Sequence, residues 1–202
     1  MDKVISKTKY SRKQHKDYYK YHMLHKSFST YFIFLIAIFI IVVAIINTIN
    51  ALKTDGDIGQ VFILWGFAAF SVMIAPMMMI SKINNIVKNE TVERKDSTDT
   101  IEVTKVKITR SNTTMEGKAV IGWNQVESIN ETKQYIYIYT GPSTGIFIVK
   151  DDIIEGSVEL FRKIAKDNMK KTKKGKVKYT EYNKVKKWSV ITEVGTIKMK
   201  NF

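Results

Sequence analysis

The chain has 202 residues, no cysteine and a formal net charge of +14. Absence of cysteine excludes disulfides, thiol nucleophiles and thiolate metal sites, and leaves the compartment open. The charge is segregated: eight Lys or Arg stand against Asp2 and Asp17 in residues 1–26, Lys53 stands against Asp55 and Asp57 in residues 27–81, and the remainder carries a surplus of nine.

Residues 1–26 interleave Tyr10, Tyr18, Tyr19 and Tyr21 with Lys9, Arg12, Lys13, Lys16, Lys20 and Lys26. Tyrosine rings favour the headgroup boundary and lysines favour anionic lipid, so this reads as a basic, aromatic interfacial helix. His15, His22 and His25 fall within about 80° of one another on a helical wheel at ~100° per residue. The surrounding lysines oppose a cation there and Asp17 is the sole nearby carboxylate, so no metal and no cofactor is expected.

Residues 27–81 hold two apolar runs, Ser27–Leu52 and Ile58–Ser81, each free of charge and separated by five residues. At 1.5 Å per helical residue each is roughly 36–39 Å long, beyond the ~30 Å hydrocarbon core of a bilayer. Two transmembrane helices follow, about 28–51 and 59–80, joined by a short outer loop. A soluble core helix would carry some charge over such lengths, and a cleavable signal has a core of only ~7–15 residues. Basic excess before Lys26 and after Lys82 puts both termini in the cytoplasm of a multi-pass plasma-membrane protein. The absence of ionisable side chains inside the spans argues against an ion path. Asn47 and Asn50 are candidates for a hydrogen bond between the helices, and Pro76 for a kink in the second.

A polar connector is expected over residues 82–99, then a small cytoplasmic domain over 100–169. Ile101 and Val103 share one parity and Val106 and Ile108 the other, which reads as a bulge or two-sided burial. Strands are expected at Met115–Trp123 and Gln134–Thr140, the latter paired through the turn Gly141–Gly145 with Ile146–Lys150. Leu160, Phe161, Ile164 and Ala165 form the stripe of an amphipathic helix, opposite Arg162, Lys163 and Lys166, with Ser157 or Asp152 as N-cap. The fold class is therefore α+β, a two-helix hairpin followed by an antiparallel sheet closed by one helix. Residues 82–169 carry thirteen basic and thirteen acidic side chains, so this domain is not a nucleic-acid surface.

The surplus charge lies in a basic extension, 170–202. Within residues 170–187, Lys170, Lys171, Lys173, Lys174, Lys176, Lys178, Lys184, Lys186 and Lys187 stand against Glu181, and anionic lipid is the expected partner. Trp188–Thr192 and Thr196–Lys200 read as two further short strands. No phosphate loop, nucleophile elbow or HExxH is present, and no histidine lies beyond residue 25. Asp151 and Asp152 read as caps of the turn after a strand, not as a catalytic pair.

The segment GWNQVESINETKQYIYIYTG, followed by IFIVKDDI and a helix behind two spans, resembles the YcxB-like bacterial membrane proteins. The resemblance rests on Trp123, Val126 and Glu131 ahead of the aromatic strand and on Lys150 after the next; Val149 departs from it, since the family pattern usually has proline there. It implies a domain similar to a pleckstrin-homology (PH) fold on two helices in a Gram-positive plasma membrane, and carries no catalytic residue. The expected function is that of a non-enzymatic membrane adaptor or regulator, whose PH-like module binds an as yet unidentified protein or a lipid headgroup. Alternative readings are an immunity protein against a toxin or bacteriocin, and an accessory subunit of a membrane complex.

Overall fold

A computed structural model describes residues 2–54, 56–114, 117–142, 144–173 and 175–181. The chain divides into two units, one of helices over Ser11–Lys95 and one of sheets made of Met1–Tyr10 with Asp96–Phe202.

The sheet unit begins before the apolar runs. Residues Lys3–Lys9 form a strand, β1, where the composition had predicted part of an interfacial helix. Its alternation decides the matter, for Val4 and Ser6 are buried while Lys3 and Ile5 are only partly covered and Lys7 is exposed. β2 (Thr98–Thr104) and β3 (Lys107–Asn112) follow the helical unit, and β4 (Lys118–Gly122) completes the series. β1 pairs antiparallel with β2 over seven residues, from Lys3 opposite Thr104 to Lys9 opposite Thr98. The parity change at Val106 is neither bulge nor two-sided burial but a two-residue turn, Lys105–Val106, between β2 and β3. Thr104 Oγ1 accepts from the Val106 and Lys107 amides at 3.3 and 3.2 Å, and Val106 is 79% exposed.

A 3-10 turn at Trp123–Gln125 leads into β5 (Ser128–Glu131), β6 (Tyr135–Tyr139) and β7 (Gly145–Val149). The β6–β7 hairpin is the one expected from its Gly-Pro turn. A second 3-10 turn, Lys150–Asp152, precedes β8 (Ile153–Glu155), and Ser157 caps the helix Val158–Asn168 by accepting from the Leu160 amide at 3.1 Å. The strands form two sheets, ordered β4-β3-β2-β1-β8 and β7-β6-β5-β9, where β9 is Tyr179–Thr180. β9 pairs parallel with β5, so the lysine-rich segment enters the domain that had been expected to end at 169.

One apolar core joins Val4, Val103 and Ile108 of the first sheet, Ile129, Ile136 and Ile148 of the second, and Phe161 and Ile164 of the helix. Full burial of such a side chain contributes about 2 kcal/mol. All five residues of β6 are buried, so this strand is covered on both faces.

In the helical unit, α1 (Arg12–His25), α2 (Phe28–Thr54) and α3 (Ile58–Arg94) follow in order, and the helix of the sheet unit is α4. α2 and α3 are long and apolar enough to cross a membrane, and only 11% of the most apolar window of each is buried within the structure. A core helix of a soluble domain would be mostly covered; these present Leu35, Phe39, Phe62 and Phe70 outward. Their mutual contact runs through small residues, with Ala37 and Ala44 buried on α2 and Ala68 and Ala75 on α3. The hydrogen bond between them comes from the Trp65 indole to Thr48 Oγ1 at 3.0 Å. Asn47 instead donates to the Val43 carbonyl of its own helix, and Asn50 offers its backbone carbonyl to Thr54. Pro76 lies inside an unbroken α3, which continues through most of the expected connector to Arg94.

Candidate functional site

The four family-motif positions lie in the sheet unit. Trp123 donates its indole N–H to the Thr104 carbonyl at 2.9 Å, fixing the β2–β3 turn, and Val126 is core. Glu131 and Lys150 meet directly.

Glu131 ends β5 with a side chain of zero exposure. Lys150 Nζ donates to Oε1 at 2.6 Å; Arg162 donates from Nη2 to Oε1 at 2.6 Å and from Nε to Oε2 at 2.9 Å; the Tyr179 hydroxyl donates to Oε2 at 3.2 Å. A carboxylate has about four lone-pair sites, and four donors occupy them. Burial pushes the Glu131 carboxyl up, but the hydrogen bonds and charges of Arg162 and Lys150 outweigh it and hold its pKa below the usual carboxylate range. Burial and the same carboxylate raise the Tyr179 phenol. Saturated in this way, Glu131 is a tie between β5, the turn after β7, α4 and β9 rather than an available base.

Those ties hold the basic segment at both ends. Met169, buried, closes α4 through its amide to the Ala165 carbonyl at 2.9 Å, and Lys166 pairs with Glu181 beyond β9. Between them the Thr172 amide donates to the Lys176 carbonyl and the Gly175 amide to the Thr172 carbonyl, both at 2.8 Å. Gly175 has φ +72, a left-handed conformation that favours glycine. The side chains of Lys170, Lys171, Lys173, Lys176 and Lys178 are all exposed on this loop. Lys174, Lys184, Lys186 and Lys187 lie outside the described residues, as do the two strands expected after residue 187.

Asp151 and Asp152 stand in the 3-10 turn of residues 150–152, and the N-cap of α4 is Ser157. The three histidines are engaged separately. His15, buried, places Nδ1 2.8 Å from Glu90 Oε2, and Tyr19 donates its hydroxyl to Glu90 Oε1 at 2.6 Å. His22 stacks on Tyr18 and His25 meets the edge of Tyr21. Met23 completes the seam between α1 and α3, packing with Ile83 and Val87. His15 and Tyr19 of this segment thus face α3, which its headgroup-like composition had not indicated.

Sequence reasoning paired neither Arg162 nor Tyr179 with Glu131. Arg162 sits on the polar face of an amphipathic helix, where solvation is the ordinary expectation, and its partner is 31 residues away; no local period carries that information.

Residues 108–165 match the family model described as YcxB-like protein, which bears out the resemblance over that segment. No curated protein and no solved structure matches the chain.

Proposed function

We propose that this chain is a non-enzymatic, multi-pass plasma-membrane adaptor or regulator, whose cytoplasmic, PH-like module displays the loop 170–178 to anionic lipid headgroups or an acidic protein partner. The observation that carries the reading is the pairing of β1 with β2. The Tyr10 amide donates to the Ser97 carbonyl at 2.9 Å, so the chain leaves for its two apolar helices and returns at neighbouring points of one sheet. An insertion that starts and ends together crosses a bilayer an even number of times, which supports two spans with both termini on one side. Five exposed lysines on an anchored loop then favour an anionic partner, at ~1 kcal/mol per lysine near a charged leaflet. Two sheets packed with the helix α4 support the PH-like reading.

The natural lack of cysteine makes topology directly testable. Single Gly56→Cys and Lys171→Cys variants are treated with a membrane-impermeant maleimide in intact cells. Labelling of the first alone, and of the second after permeabilisation, is the expected result; labelling of Lys171→Cys in intact cells would falsify the orientation. For the loop, trypsin cleavage of the full chain in phosphatidylglycerol nanodiscs is expected to be slower than in phosphatidylcholine, and equal rates remove lipid as the partner.

A further inference from the structure

We propose that the helical unit holds one anionic glycerophospholipid in a two-part site centred on Lys82, separate from the basic loop. A cleft of about 230 Å³ opens between the helices, walled by Ile33, Phe34, Ala75, Met78 and Met79. Ser29, Thr30 and Lys82 line its polar end. Met78 and Lys82 also line a second, open groove along α3, whose other walls are Ser81, Ile86 and the amides of Asn85 and Asn89. The two meet at Lys82, the first charged residue after the apolar run.

That arrangement has the polarity of a phospholipid. The apolar cleft accepts part of an acyl chain, and unbranched methionines adapt to its shape. The ammonium, two carboxamides and hydroxyls supply donors for phosphate and glycerol oxygens. No Asp or Glu lines either part among the described residues, and the charges of Lys26 and Lys82 converge on His22, whose pKa is lowered first by its burial and then by these two lysines. A positive mouth above an apolar slot selects an anionic over a zwitterionic headgroup.

The inference rests on reading α2 and α3 as spans, and the experiment separates the two. Full-length protein is reconstituted in equal parts phosphatidylglycerol and phosphatidylcholine, washed with carbonate, extracted in mild detergent and weighed by native mass spectrometry. One retained phosphatidylglycerol per chain is expected, preferred roughly fivefold over phosphatidylcholine; Lys82→Gln removes the preference, Lys82→Arg keeps it, and Ala75→Phe lowers occupancy by both lipids. Glycerophosphoglycerol added in solution is expected to displace nothing. Release by carbonate overturns the spans and the site together. Retention in the membrane with no bound lipid, equal binding of the two lipids, an unaltered preference in Lys82→Gln, displacement by the soluble headgroup, or a second copy of the chain covering the cleft overturns the site alone.

Discussion

Glu131 ties several elements of the sheet unit together. Its carboxylate is unexposed and meets two cations and a phenol from three different elements. Removing one partner of a buried ion pair leaves the others desolvated, so Glu131→Ala is expected to cost about 3–5 kcal/mol, read as a lower urea midpoint for protease resistance of the full chain. Glu131→Gln keeps the shape but strands the same cations, and is expected to fall only slightly short of that loss. The pH dependence follows from the sign of the shift. A carboxyl whose folded pKa is depressed contributes stability that is complete above its ordinary value, ~4.3, and is lost as pH falls toward the lower folded value. Wild-type resistance is therefore expected to drop below about pH 4, and the drop attributable to this group to be absent in Glu131→Gln. Equal slopes for the two proteins would show that other carboxyls dominate.

At the scale of elements, the sensitive point is where β8 approaches β1. Gly156 has φ +85, and a Cβ there would meet the Lys3 carbonyl oxygen at 2.7 Å and Val4 Cγ2 at 2.9 Å. Backbone cannot yield as a flexible side chain can, so Gly156→Ala combines a forbidden conformation with a clash. A loss of about 2 kcal/mol or more is expected, by the same protease titration, and a larger one for Gly156→Val. Between α2 and α3 the Thr48–Trp65 bond accompanies buried Ala37 and Ala44 on one helix and buried Ala68 and Ala75 on the other. Small residues let the helices approach, so Ala44→Leu is expected to separate them far more than Thr48→Val, which removes one bond worth about 0.6 kcal/mol. Disulfide crosslinking of paired cysteines in the cysteine-free chain reads this separation. These elements also show what the sequence could and could not disclose. The apolar runs, the β6–β7 hairpin and the α4 stripe were legible because each is specified by its own period and turn residues. β1 was not, because only seven residues alternate and their lysines and small side chains resemble the basic helix that follows. Nor was the helical path of residues 82–94, where a polar segment gains its apolar partners only from α1. At the site, Glu131 and Lys150 were legible as motif positions, whereas Arg162 and Tyr179 reach them only through the fold.

For the whole molecule, the position of β1 inside its sheet makes the unit's integrity depend on residues about ninety positions before the next strand. A variant lacking residues 2–9 loses the strand between β2 and β8 and the core residue Val4. An interfacial segment would cost only membrane affinity on deletion; a central strand costs the domain. Tryptic digestion of the truncated full-span protein is therefore expected to reach the residues beyond 96 within the time that leaves the parent intact, while α2 and α3 remain in the membrane fraction. Persistence of the resistant fragment would show that β1 is dispensable.

The pairing of β1 with β2 also imposes an order on biogenesis. β1 leaves the ribosome before either apolar helix and its partner strand only after both, so on the proposed two-span topology the sheet closes after insertion. A chain whose second apolar helix failed to integrate would leave the two strands on opposite faces of the bilayer, one of them unsatisfied and open to proteolysis. On that proposed topology, closure of the sheet would report correct insertion through the backbone hydrogen bonds of β1 and β2 alone.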